Sequence, residues 1–310
     1  MVRSAHTAFT LLSFSGSTGE SKENIIRRVT VIGLIVNGIL FAIKLIAGLY
    51  GGSQSLLADA VHSFSDFAAG VAVLIGSYFW NRAPDEDHPY GHKKIETLLA
   101  IGIAISLILA ATYIAIESFK NIHNHNLFEA GNFVIIVATI SVITKEILYR
   151  YTIIYGRKLK SQSLIASAYD HRSDAISSVP VLISVSIASF APTWSFMDSI
   201  GALVVVILIF RSAILIAKPA LAEMLDSGAT KEICDKIISA SKTIPEVHSI
   251  HDLRTHYSGG ELYIDLHIVL DPNMTLREAH FIGDRVEDLL KKNDIFAYDV
   301  LVHLDYYDDR

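Results

Sequence analysis

Two short runs of ionisable residues, Asp59-Ala60-Val61-His62-Ser63-Phe64-Ser65-Asp66 and Asp170-His171-Arg172-Ser173-Asp174, lie inside apolar stretches long enough to cross a bilayer. A charge at the centre of such a stretch costs about 2.5–3.5 kcal/mol on insertion, so each demands a partner. A four-residue spacing puts His62 and Asp66 on one helix face and Asp170 and Asp174 on another, one turn apart. Imidazole and carboxylate bind divalent cations, and two such faces opposed supply four donors without rearranging the backbone. His171 to Asp174 is also a compatible spacing, so either Asp170 or His171 can be the fourth donor, and Asp59 is a further alternative. The competing explanation is that these carboxylates only pair with Lys44 or Arg172 to hold helices together. Acidic residues outnumber the nearby cations and the matched spacing recurs on two spans, which favours a cation site.

Two further constellations share this chemistry. In the run Pro84 to Lys94, Asp85, His88 and His92 can chelate a cation, against the alternative that a polar loop holds histidines by chance. His251, His267, His280, His303 and Asp305 are spread through the last part of the chain. His303 and Asp305, two apart, share one face of a strand, so strands can gather these groups into a metal cluster. His123 and His125 belong to a polar hairpin and read as solvated. A single cysteine, Cys234, excludes an internal disulfide and a thiolate cluster. Any metal must then be held by histidine and carboxylate, which suits zinc, manganese, iron or cobalt better than copper(I).

The elements that must position these residues are mostly membrane spans. The chain is 51% hydrophobic and only 19% charged, below the roughly 25% charged of soluble domains. Its net charge of -6, without a basic stripe, argues against nucleic-acid binding. Residues 1–25 read as a flexible cytosolic tail, since a polar Gly/Ser/Glu segment follows the brief apolar run and no cleavage site is evident. Apolar segments recur at Val29 to Tyr50, Ser55 to Trp80, Ile95 to Phe119, Ala130 to Tyr151, Ser161 to Phe190 and Ser195 to Leu221, each sufficient for a spanning helix. Lys22, Arg27 and Arg28, then Arg82, Lys93 and Lys94, then Arg157, Lys158 and Lys160 mark one side of the membrane, and the alternate connections carry almost no basic residues. By the positive-inside rule both termini are cytoplasmic.

From about Ser227 the composition is that of a soluble domain. Thr230 to Thr243 patterns as an amphipathic helix, Val247 to Thr255 and Leu262 to Leu270 as strands, and Thr275 to Lys292 as a helix opened by a Thr275/Glu278 capping box. Tyr298 to Leu304 reads as a last strand. The order αββαβ predicts an open-faced α+β sandwich. The whole is therefore an α-helical membrane protein of six transmembrane helices (26–226) with a C-terminal cytosolic α+β domain (227–310).

In this order, Ser55 to Asp66, His88-Pro89-Tyr90-Gly91-His92 with Lys93, Lys94 and Glu96, Asp170 to Ala175, His251 to Thr255 and Val302-His303-Leu304-Asp305 resemble the cation diffusion facilitator family of divalent-metal transporters. The likeness covers nearly all the chain after the tail. It implies a homodimer in the lipid bilayer, with six spans per protomer and a metallochaperone-like cytosolic domain. It also implies export of metal from the cytoplasm, usually zinc, in exchange for protons. Carried over by position, the transport site is His62, Asp66, Asp170 and Asp174, and the loop site is Asp85, His88 and His92. The regulatory site is His251, His267, His280, His303 and Asp305, and Lys94 with Asp226 is a charge pair holding the dimer near the membrane.

Zinc-type members commonly carry His where Asp170 stands, and all-carboxylate sites go with manganese. Three carboxylates and one imidazole leave zinc as first choice, with manganese, iron and cobalt as alternatives. The metal is substrate and regulator, and no organic cofactor is expected. No accessory targeting signal is visible, so the cell membrane is the default location. Alternating access suits the site, because ligands must lose protons to bind metal and imidazole ordinarily titrates in the physiological range. Two other classes share the ligands: an intramembrane metalloenzyme, which lacks the His-Glu-x-x-His signature and would turn over a substrate, and a metal sensor, which would bind without flux.

Overall fold

The computed structural model describes residues 21–80, 82–124, 132–292 and 295–306. Most of the tail, residues 1–20, and His125 of the polar hairpin lie outside the described residues. Those described fall into two compact units, one drawn from Met1–Phe79 and Leu99–Ala217, the other from Trp80–Leu98 and Lys218–Arg310.

The helical part comprises α1 (Lys22–Gly51), α2 (Gln54–Trp80), α3 (Lys94–His123), α4 (Asn132–Lys158), α5 (Gln162–Ser177), α6 (Val179–Phe190) and α7 (Phe196–Met224). Four stretches, Lys22–Gly51, Lys94–His123, Gln162–Phe190 and Phe196–Met224, are long and apolar enough to cross a membrane. Helices α2 and α4 are as long and carry ionisable residues: Asp59, His62 and Asp66 on α2, and Lys145, Glu146 and Arg150 on α4. Together these make the six long segments that the apolar pattern predicts. Ile35, Ile39 and Ile46 on α1 and Leu109 and Tyr113 on α3 are more than half exposed, the outward apolar surface that a helix in hydrocarbon presents.

Two boundaries differ from the sequence reading. The first helix begins at Lys22, inside the stretch expected to be tail, because the Ser21 hydroxyl caps it by accepting from the Asn24 N–H at 3.3 Å. The fifth segment is two helices. It breaks at Ser178, two residues before Pro180, which has no N–H to donate and whose ring clashes with the carbonyl four residues earlier.

Buried polar side chains bind the bundle internally. Asp198 of α7 caps the start of α2, accepting from the Gln54 N–H at 2.6 Å, the Ser55 N–H at 3.4 Å and the Ser53 hydroxyl at 2.7 Å. A carboxylate there satisfies orphan amides and complements the helix dipole. Lys44 of α1, 1% exposed, lies 2.8 Å from Asp59 of α2 and donates to the Ser63 hydroxyl at 2.9 Å. Ser178, at the break, donates to the other Asp59 oxygen at 2.9 Å.

The other unit holds α8 (Lys231–Ser241), β1 (Ser249–Ser258), β2 (Glu261–Leu270), α9 (Leu276–Lys292) and β3 (Asp299–Tyr306). The αββαβ order is the one read from the sequence. Strands β1 and β2 pair antiparallel, and β2 and β3 pair parallel with α9 as the crossover, so β2 is central. Gly259 and Gly260 turn the hairpin, both at positive φ as a tight two-residue turn of this kind requires. Leu262, Ile264, Leu266, Ile268 and Leu270 of β2 form one core with Ile282, Val286 and Leu290 of α9 and Ile237 of α8. Period-2 alternation then turns His267 to the opposite face.

Candidate metal centres

The bundle brings together His62, Asp66 and Asp174. One donor atom from each lies within 4.8 Å of the others, and His62 Nε2 is 3.9 Å from Asp174 Oδ1. Helix α2 contributes the first two, one turn apart, and α5 the third, as the spacing predicts. His62 Nδ1 and Asp66 Oδ2 are buried with no hydrogen-bond partner among the described residues. Unpartnered buried donors and acceptors are costly and rare, which singles out the His62 nitrogen; the Asp66 oxygen has an ammonium 3.7 Å away, beyond hydrogen-bond reach.

The fourth position differs from either expectation. Asp170 is exposed and outside the cluster. His171 is buried but packs against α1, where its Nε2 lies 3.4 Å from the point a Cβ on Gly33 would occupy. Asp59 is withdrawn from any ligand role by Lys44 and Ser178, so helix-pairing accounts for that carboxylate alone. Arg172 pairs with neither aspartate of its run; it donates to the Tyr149 hydroxyl at 3.1 Å. The group that completes the cluster is Lys145 of α4, whose ammonium sits 2.7 Å from Asp174 and 3.7 Å from Asp66. Sequence reasoning missed it. The available signal was a lysine within an apolar span, which implies an intramembrane counter-charge.

In the loop before α3, Asp85 gathers both histidines. Its Oδ1 is 3.2 Å from His88 Nδ1, and its Oδ2 is 3.3 Å from His92 Nε2. The backbone supplies the geometry that spacing alone did not: the His88 N–H donates to Asp85 at 2.7 Å, and Gly91, at φ 82, lets its N–H return to the His88 carbonyl. The bond from the His88 N–H is the main reason the Asp85 carboxyl is held below its ordinary range, with the two imidazoles adding to it. The same contacts favour the ionised carboxylate, the form that a cation site requires.

On the open face of the sheet, His251, His267 and His303 form a row across three strands, since His251 pairs with His267 and His267 with His303. Asp305, two residues along β3 from His303, lies 3.1 Å from His251 Nε2, 2.9 Å from His267 Nδ1 and 3.2 Å from His303 Nδ1. The hydrogen bond with His267 is the largest influence holding the Asp305 carboxyl below its ordinary range. Asp252, missed as a ligand, joins His251 and His267 in a second possible triad. It sits at φ 47 in a β-bulge that shifts the register after His251; a bulge leaves little sequence signal. His280 is not in the row. It is on α9, 3.9 Å from Asp284 and largely exposed. Lys94 and Asp226 do pair, at 3.3 Å within one chain, both about half exposed.

Comparison with known proteins follows the same division. The cation efflux transmembrane domain matches residues 30–225 and the cation efflux protein cytoplasmic domain matches 229–307. The manganese efflux system protein MneP of Bacillus subtilis is 32% identical over 296 residues, covering 92% of this chain and 98% of its own length. An uncharacterised transporter of Methanocaldococcus jannaschii is 31% identical over 285 residues, covering 91% and 99%. Metal tolerance protein C1 of Arabidopsis thaliana is 31% identical over 302 residues, 93% of this chain and 63% of that protein.

Proposed function

Because this chain belongs to the cation diffusion facilitator family of divalent-metal efflux transporters, we propose that it exports manganese from the cytoplasm through His62, Asp66 and Asp174. Asp170, one turn along α5 from Asp174, closes on the metal during transport. The observation that carries this is the meeting of three donors from two helices inside the bundle, where His62 Nδ1 is buried with no hydrogen-bond partner among the described residues and Asp66 Oδ2 has only the Lys145 ammonium, at 3.7 Å.

The protein is a multi-pass membrane transporter, not an enzyme. Sequence alone ranks zinc first from a donor set rich enough in carboxylate oxygen to suit manganese as well, and a relative similar over nearly its whole length, named for manganese efflux, moves the choice to manganese. Zinc is the second reading, favoured by the His62 imidazole. Metal and proton exchange at the site by alternating access, since the ligands must be deprotonated to hold the metal. The chain works as a homodimer in the cell membrane with both termini cytoplasmic. Residues 26–226 form the transport domain, and residues 227–310 bind metal as a regulatory domain. The sheet row of His251, His267, His303 and Asp305 is that regulatory site, with His280 outside it in the single chain, and Asp85, His88 and His92 form a separate site in the loop.

Flux into proteoliposomes loaded with a metal-sensitive dye tests the assignment, with manganese, zinc, iron(II) and cobalt run in parallel and with or without a proton gradient. Asp66→Ala and Asp174→Ala should each reduce flux at least about a hundredfold, since loss of a mere supporting partner of a metal ligand already costs about ten- to a hundredfold. Full flux in either variant rejects the site. Zinc moving faster than manganese in the unmutated protein reverses the metal order.

A further inference from the structure

We infer that Lys145 is a tethered cation that occupies the intramembrane carboxylate pocket and that the transported metal must displace. This rests on reading His62, Asp66 and Asp174 as the transport site. Lys145 is 0% exposed, and its ammonium lies against Asp174 at 2.7 Å and Asp66 at 3.7 Å. These are the proposed carboxylate ligands from two different helices, so the ammonium bridges them as a metal ion would. The other buried lysine of the pair's neighbourhood, Lys44, is engaged separately by Asp59 and Ser63.

Charge decides how metal and lysine share the pocket. With the imidazole neutral, two carboxylates and one ammonium leave the pocket at one net negative charge. A divalent ion arriving beside the ammonium would raise it to one net positive charge, and uncompensated charge away from water is strongly unfavourable. In the arrangement shown, with Asp170 outside the cluster, the metal and its two carboxylates are neutral if the ammonium withdraws as the ion enters, and Asp170 closes on the metal only after the ammonium has left. Lysine suits this role because its compact charge rides on a flexible four-carbon stem, free of the fixed fork that binds arginine to a carboxylate. The same count gives selectivity. A monovalent ion brings no more charge than the ammonium it would replace, whereas a divalent ion brings twice as much. Lys145 is therefore a positioning residue that excludes sodium and potassium and weakens metal binding enough for release.

The test is flux of Mn2+ by the full-length protein in proteoliposomes, resolved into KM and maximum rate, with Mn2+ titration of the detergent-purified protein alongside. Lys145→Met and Lys145→Gln should lower KM and the dissociation constant by about tenfold or more. Both should lower the maximum rate, and both should become sensitive to added K+. Lys145→Arg keeps a charge and should not lower KM. A purely structural lysine would reduce the amount of folded protein without lowering KM, and an unchanged or raised KM in both neutral variants overturns the inference. That failure is distinct from failure of the site itself, which is read by retained flux in Asp66→Ala or Asp174→Ala. The unmutated protein gives a measurement independent of variant folding. Methylation of Lys145 by formaldehyde and borohydride, followed by mass spectrometry, should rise several-fold on adding Mn2+ as the amine leaves its pocket, and labelling unchanged by Mn2+ counts against displacement.

Discussion

At the scale of single residues, the bundle holds two lysine–aspartate arrangements with different consequences. Lys44 and Asp59 are buried almost completely, and every charged atom has a near partner in Ser63, Ser178 or each other. Lys145 instead spans two carboxylates whose other neighbour, His62, carries an unpartnered nitrogen. The first arrangement is structural. Removing only its cation leaves a buried carboxylate uncompensated, a change that costs about 3–5 kcal/mol, whereas neutralising both members together often costs little. Lys44→Met should therefore lower the unfolding temperature of the detergent-solubilised protein sharply, and Lys44→Met with Asp59→Asn should recover most of the loss. Equal destabilisation by the single and double variants would show that Asp59 does not depend on Lys44.

At the scale of elements, what the sequence revealed depended on whether the signal was local. The capping box of α9 is local, and it formed as read: the Thr275 N–H and hydroxyl both donate to Glu278 at 2.8 Å, and the Glu278 N–H returns to the Thr275 hydroxyl at 3.3 Å. The alternation of β2 was legible for the same reason, since a period of two separates the core residues from His267 within one strand. The break at Ser178 was not read, although Ser177, Ser178 and Pro180 mark it locally, because the apolar residues on either side add up to one span-length segment. Lys145 was hidden because its partners lie on two other helices, which no spacing along α4 encodes. His280 was grouped with the sheet histidines by composition, yet a helix places it elsewhere. The capping box also predicts a pH dependence. Hydrogen bonds from Thr275, the backbone one first, hold the Glu278 carboxyl below its ordinary range in the folded protein. A depressed carboxyl stabilises the fold above its unfolded value of ~4.3 and loses that contribution as pH falls through the lower folded value. Glu278→Ala should lower the unfolding temperature by a few degrees at pH 7, as followed by circular dichroism. The difference should shrink below about pH 4, and a difference that widens on acidification would contradict the assignment.

At the scale of the molecule, one chain carries histidine–carboxylate sites of two physical kinds. The intramembrane cluster has its cation partner inside the bundle, in Lys145, so on the inference above metal competes for it. The sheet row is reached from solvent, and Asp305 already sits against all three imidazoles without a lysine among its contacts. On the proposed reading, metal there meets no tethered competitor, so the sheet responds to cytoplasmic metal and the bundle passes it on. His267 is shared by both possible triads of the sheet, with His251 and Asp252 on one side and His303 and Asp305 on the other. Its loss should disable both at once. On the proposed reading, His267→Ala shifts the manganese concentration for half-maximal flux upward several-fold while flux at saturating metal is kept, because the pathway ligands are untouched. Asp174→Ala, in contrast, abolishes flux at every concentration. Proteoliposome flux measured across a range of Mn2+ concentrations separates the two behaviours. Loss of flux at saturating metal in His267→Ala would put the sheet on the transport pathway itself, and an unshifted curve would remove it from regulation.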